Sequence, residues 1–244
     1  MEDFIKTVAP NIWAYRTRFI QSLADTWQLF FIPGLISFFL GIFFGVILTI
    51  TRKGGIKQNL VVFRIIDTII NVFRAIPFVI LLIFLIPFTR LMVGTAIGVR
   101  GAVIPLIFGT APFFSRQVET ALANVSPGKI EAARAMGSGT FGLIFRVYLH
   151  EAVPELARVT TITAISLVGL TTMAGAVGAG GIGSFAINYG QGQGHPDIVN
   201  VCVVVLLIAV CIIQAIGSFI AKKTTNRTFI HRIYKTKMSS AVKE

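Results

Sequence analysis

The sequence predicts an all-α polytopic membrane protein with about five transmembrane helices. Three observations carry that prediction. Of 244 residues, 55% are hydrophobic and only 13% charged, where a soluble globular chain has about 25% charged residues. Four runs, 28–51, 75–89, 159–187 and 198–221, hold no Asp, Glu, Lys or Arg, and a helix crosses the hydrocarbon core in roughly 20 residues. The basic residues, finally, gather in alternate loops, as they do in membrane proteins of fixed orientation.

Taken in order, the spans are expected near 28–50, 68–88, 94–115, 159–181 and 198–220. The second contains Arg74, and the third contains Arg100, Pro105 and Pro112. Proline is tolerated in a membrane helix when its neighbours satisfy the freed carbonyls. These spans place 16 of the 22 Lys and Arg in the loops 51–67 and 116–158 and in the tail after 221, and five on the opposite side. Lys and Arg mark the cytoplasmic side. The N-terminus is therefore expected outside, the C-terminus inside, and the loop 116–158 in the cytoplasm. The chain divides into an extracytoplasmic segment 1–27, a membrane domain 28–221 and a basic cytoplasmic tail 222–244. Met1-Glu2-Asp3 is acidic and the first long apolar run begins only near Trp27, so no cleaved signal is expected.

The formal net charge of +12 reads as this topology signal, not as a nucleic-acid surface, and the tail 222–243 can also meet anionic lipid headgroups. The three histidines, His150, His195 and His231, fall in separate segments with no metal-ligand spacing and no nucleophile–base arrangement. Cys202 and Cys211 lie on opposite sides of one helix and cannot pair within it. "GAGGIG" (178–183) satisfies G-x-G-x-x-G, yet an apolar span precedes it where dinucleotide binding needs a strand. No G-x-x-x-x-G-K-[ST] occurs, so no cofactor or nucleotide is expected on this chain. "GIFFG", with Gly41 and Gly45, marks close helix packing, either inside one subunit or on a dimer face. No Asp or Glu falls in any expected span, which weighs against an ion-coupled secondary transporter.

The loop 116–158 carries the most information. Residues 128–136 read as a short helix of good helix formers, Glu131, Ala132, Ala133, Ala135 and Met136, ended by Gly137 and Gly139. A second amphipathic piece, 141–156, places Phe141, Ile144, Phe145 and Tyr148 at helical spacing. Composition alone would favour a plain connecting hairpin.

Within that loop "EAARAMGSGTFGLIFRVYLHEAVPEL" resembles the EAA loop of ABC-importer permeases. Glu131, Ala132, Ala133 and Gly137 match its first half, and Glu151, Ala152 and Pro154 its second. His150 departs from it, standing where the pattern has proline. "NVFRAIPFVILLIFLIPFTRLMVGTAIG" (71–98) and "GLTTMAGAVGAGGIGSFAINYG" (169–190) look like the permease subunit of methionine-type ABC importers, and the resemblance covers roughly 28–221.

That resemblance implies the type I importer architecture and a homodimer enclosing the solute path. It further implies two cytoplasmic ATPases that carry the ATP and Mg, and an extracytoplasmic solute-binding protein. The solute is expected to be an amino acid, methionine in L or D form, with another small solute as the alternative. The chain itself would perform no chemistry. Glu131, Ala132, Ala133, Arg134 and Gly137 would form the ATPase-coupling helix, with alanines for close approach and a glycine cap. Met173, a long side chain among small neighbours, is a candidate gate or a gap-filler. Arg74 reads as an anchor snorkelling to the inner mouth, near Asp67, or as the mark of a break at "FRAIP". A charge fully inside the bilayer costs about 2.5–3.5 kcal/mol on insertion scales.

Overall fold

The computed structural model describes residues 10–241, with side chains described to Thr225. The segment 1–9 and the tail side chains beyond 225 lie outside the described residues. All elements described are helical: α1 (Pro10–Ala14), α2 (Arg16–Thr51), α3 (Leu60–Ala75), α4 (Phe78–Phe84), α5 (Ile86–Val93), α6 (Gly98–Ala123), α7 (Pro127–Ala135), α8 (Thr140–Ala176), α9 (Gly181–Phe185) and α10 (Pro196–Ala241). Among the described residues four helices are long and apolar enough to cross a membrane, and the bent pair α3–α4 makes a fifth span when its two halves are taken together.

The first expected span is only the latter part of its helix. α2 begins at Arg16 and runs 36 residues, about 54 Å at 1.5 Å per residue, well beyond a hydrocarbon core of about 30 Å. Its packing partner is α6. A Cβ on Gly41 would meet Phe114 Cδ1 at 2.3 Å, and one on Gly45 would meet Val118 Cβ at 2.6 Å and the Ser115 carbonyl at 2.9 Å. The "GIFFG" glycines therefore seat two helices of one subunit, which settles the alternative left open by the sequence. Phe114 and Val118 are fully buried there.

The second expected span is bent instead of straight. α3 and α4 meet at an angle of 104° across Ile76-Pro77. α3 is capped by Asn59, whose side chain accepts from the N–H groups of Val61 and Val62 at 3.2 Å. It ends at Ile76 in an extended conformation (φ −80°, ψ 124°), which is what a following proline imposes. With 16 and 7 residues, neither half reaches across on its own.

The fourth span also differs from expectation. The amphipathic piece after the EAA segment is not a separate loop element. It is the start of α8, a continuous run of 37 residues into the membrane, whose turns at Leu143–Leu149 are wound as π-helix. α8 stops at Ala176, five residues before the expected end, because Gly178, Gly180 and Gly181 turn the chain through positive φ. The "GAGGIG" stretch is thus a turn between helices, packed on α2. The Ile182 N–H donates to Thr26 Oγ1 at 2.8 Å, and a Cβ on Gly183 would meet the Thr172 carbonyl at 2.3 Å.

α10 closes the bundle against α8, where Gly217 lies directly over Thr161. Cys202 is buried and Cys211 exposed, as their spacing requires. At the other end of the bundle Asn11 donates through its backbone and side-chain N–H to Asp197 at 3.1 and 3.0 Å. Much of the apolar surface of α2 and α10, including Phe39, Phe43, Leu207 and Phe219, faces outward, as expected of a surface solvated by lipid.

Candidate functional site

α7 is built on the side of the bundle where α6 ends and α8 begins. Pro127 opens it, its missing N–H costing nothing in the first turn. At the other end the Gly137 N–H donates to the Arg134 carbonyl at 2.9 Å and the Ser138 N–H to the Ala133 carbonyl at 3.0 Å. With Gly137 at φ +79°, this is a complete Schellman ending. The Lys129 ammonium pairs with Glu151 on α8. Ala133 is buried, and Ile130 packs on the cluster of Val118, Leu122, Tyr148 and Ala152. The helix is therefore fixed to the two membrane helices it connects.

The five residues singled out from the EAA segment divide between two faces. Ala133 turns inward and holds the helix to its own chain. Glu131, Ala132, Arg134 and Gly137 are exposed, and neither Glu131 nor Arg134 has an ion-pair partner among the described residues. The aromatic spacing splits in the same way: Ile144 and Tyr148 are buried, while Phe141 and Phe145 stand out. Met136 and Phe141, each 79% exposed, make the outer face apolar as well as polar. Spacings of three, four and seven place all four on one stripe, and the structure splits that stripe between the bundle and the outside. Nothing in the sequence signalled the Lys129–Glu151 pair, whose members are 22 positions apart.

Met173 lies near the end of α8 and is 51% exposed, so it fills no gap in this protomer's core. Its neighbours are held firmly. Thr171 and Thr172 both donate to the Val168 carbonyl, at 2.7 and 3.0 Å, and Gly175 abuts the Ser184 backbone nitrogen. Arg74 is in the last turn of α3, exposed, and lines a cavity at the α3–α4 elbow. The placement beside Asp67 is corrected: Asp67 pairs with Arg116, which also pairs with Glu119 and donates to Asn71 at 3.1 Å. Arg116 faces Asp67 from α6, whereas Arg74 lies seven residues, about 10 Å, further along α3. Met173 and Arg74 are on different elements from α7 and do not join it in one site.

The family described as "Binding-protein-dependent transport system inner membrane component" matches residues 37–228. The chain belongs to this family. The inner-membrane component shares 41% identity over 208 residues with the probable D-methionine transport system permease protein MetI of Vibrio cholerae, covering 84% of this chain and 92% of that one. The methionine import system permease protein MetP of Bacillus subtilis is 43% identical over 174 residues, covering 71% and 78%.

Among solved structures, an inward-facing conformation of the MetNI methionine ABC transporter superposes with TM-score 0.84 at 41% identity, covering 86% of this chain and 98% of that one. An amino acid ABC transporter with histidines superposes with TM-score 0.72 at 17% identity, covering 87% and 96%, and so shares the fold. The architecture is that of an ABC-importer permease, in a multi-pass chain of the inner membrane.

Proposed function

We propose that this permease forms the translocation path of an ATP-driven importer for methionine, as a homodimer coupled to two cytoplasmic ATPases and fed by an extracytoplasmic solute-binding protein. The observation that carries the reading is the 41% identity to a D-methionine permease across 92% of that protein's length. In this reading the N-terminus is outside, the C-terminus is cytoplasmic, and α7 faces the cytoplasm, as the distribution of basic residues supports. The outer face of α7, with Ala132, Glu131 and Arg134 beside exposed Met136 and Phe141, docks in a cleft of the ATPase. The Schellman ending and the Lys129–Glu151 pair make that helix rigid enough to pass closure of the ATPases to α6 and α8. ATP and Mg belong to the partner, and one Met173 from each protomer narrows the path where the two meet.

Uptake of labelled methionine in cells with and without the chain tests this. The expected result is loss of a saturable component that is sensitive to vanadate. A chain-dependent component abolished by a protonophore alone would remove the ATP-driven reading. Unchanged methionine uptake would remove the solute.

A further inference from the structure

At the elbow of the broken span four elements surround a cavity of about 220 Å³. α3 supplies Phe73 and Arg74, α4 supplies Phe78, α6 supplies Thr110 and Phe113, and α8 supplies Ser166. Its polar groups are without partners. The Thr110 hydroxyl is buried and makes no hydrogen bond, and Ser166 makes none among the described residues. Other hydroxyls on the same two helices turn back onto their own carbonyls: Ser115 to Ala111 at 2.7 Å, Thr163 to Val159 at 2.8 Å. Such back-bonding is the ordinary fate of a helical hydroxyl, and a buried one left unpaired calls for an explanation. Arg74 likewise has no partner among the described residues, Asp67 being engaged with Arg116.

The position suits a solute path. Thr110 lies on α6 six residues before the charged Arg116, about 9 Å along the helix, and so inside the membrane towards the inner mouth. Non-helical backbone at that depth is tolerated where it lines a cavity, and the Ile76-Pro77 break does so. Ser166, Leu170 and Met173 follow at spacings of four and three and share one stripe of α8. The cavity thus opens on the face that carries Met173, about 10 Å along the helix from Ser166.

We propose that this cavity is a subsite for the translocated amino acid, with Arg74 holding its carboxylate. The guanidinium offers the fork geometry that carboxylates take. The Thr110 and Ser166 hydroxyl oxygens accept from the ammonium, and the rings of Phe73, Phe78 and Phe113 take the apolar side chain, a thioether being favourable against an aromatic edge. The inference rests on the methionine-import reading above and adds to it a binding site within the permease itself.

The test follows thiol labelling of Ser166→Cys in a Cys202→Ala/Cys211→Ala background, as the permease–ATPase complex in nanodiscs of neutral lipid. L-methionine at about four times its Kd slows labelling about fivefold, methioninol, which lacks the carboxylate, leaves the rate unchanged, and Arg74→Gln abolishes the protection. Leu170→Cys is a second reporter should Ser166→Cys fail to fold. Absence of protection, or equal protection by methioninol, overturns the proposal. So does slowing by phosphatidylglycerol without methionine, which would assign Arg74 to a lipid headgroup. Methionine uptake by the unsubstituted complex is measured alongside: if it is absent the import reading fails, and if it is present without protection only the subsite fails.

Discussion

The seam between α2 and α6 and the elbow between α3 and α4 are two opposite treatments of a helix in a membrane. At the seam, Gly41 and Gly45 remove side chains so that Phe114 and Val118 fill the space completely. At the elbow, Pro77 removes a backbone donor and the chain turns by 104°, leaving a cavity with unpaired Arg74 and Thr110. In lipid, helix association depends on close packing and satisfied polar groups. At Gly41 and Gly45 the seam meets the first demand, although Ser37 one turn away keeps an unpaired buried hydroxyl; the elbow meets neither, which separates the part that holds the protomer together from the part free to engage a solute.

The sharpest way to break that comparison is Gly45→Leu. Its Cβ alone would meet Val118 and the Ser115 carbonyl, so the cost is on the order of 3 kcal/mol. Thermal unfolding followed by size-exclusion chromatography should show most of the monodisperse protein lost. Arg74→Gln should act the other way, lowering methionine transport about tenfold, about 1.4 kcal/mol, while the unfolding midpoint stays within a degree or two. A comparable fall in stability would make Arg74 structural and erase the contrast.

α7 gives intermediate effects. Gly137→Ala forces a Cβ into φ +79°, costing about 1 kcal/mol. Copurification of the ATPase should weaken several-fold with the membrane bundle intact. Smallest is Glu151→Gln. It releases Lys129 from a pair whose side chains are 38% and 31% exposed, and such pairs contribute about 0.5 kcal/mol. A slight shift of the unfolding midpoint, reduced by salt, is the expected reading.

How far the sequence reached can be judged on particular elements. The short helix at 128–136 and its glycine ending were legible because capping and propensity are local. The break at "FRAIP" was legible as one of two readings of that stretch, because proline acts on its immediate neighbours, but its 104° bend was not. The continuity of 140–176 was not: charged Arg146, Glu151, Glu155 and Arg158 look like a loop to a hydropathy reading, yet they extend a membrane helix outward. Nor could Asp67 be assigned between Arg74 and Arg116, one seven residues away and the other 49.

By itself the sequence determined that this is a multi-spanning helical protein, where its long apolar runs lie, and that 128–136 forms a short helix ended by glycine between two of them. These follow from apolar run length, charge and turn chemistry, which act within a few residues. Only the tertiary structure decided which face of α7 stays outside, that Gly41 and Gly45 serve a seam within one subunit, and that Arg74, Thr110 and Ser166 border one cavity. Those outcomes depend on how rigid helices meet across the bundle, and the packing that chooses among them brings together residues far apart in the chain.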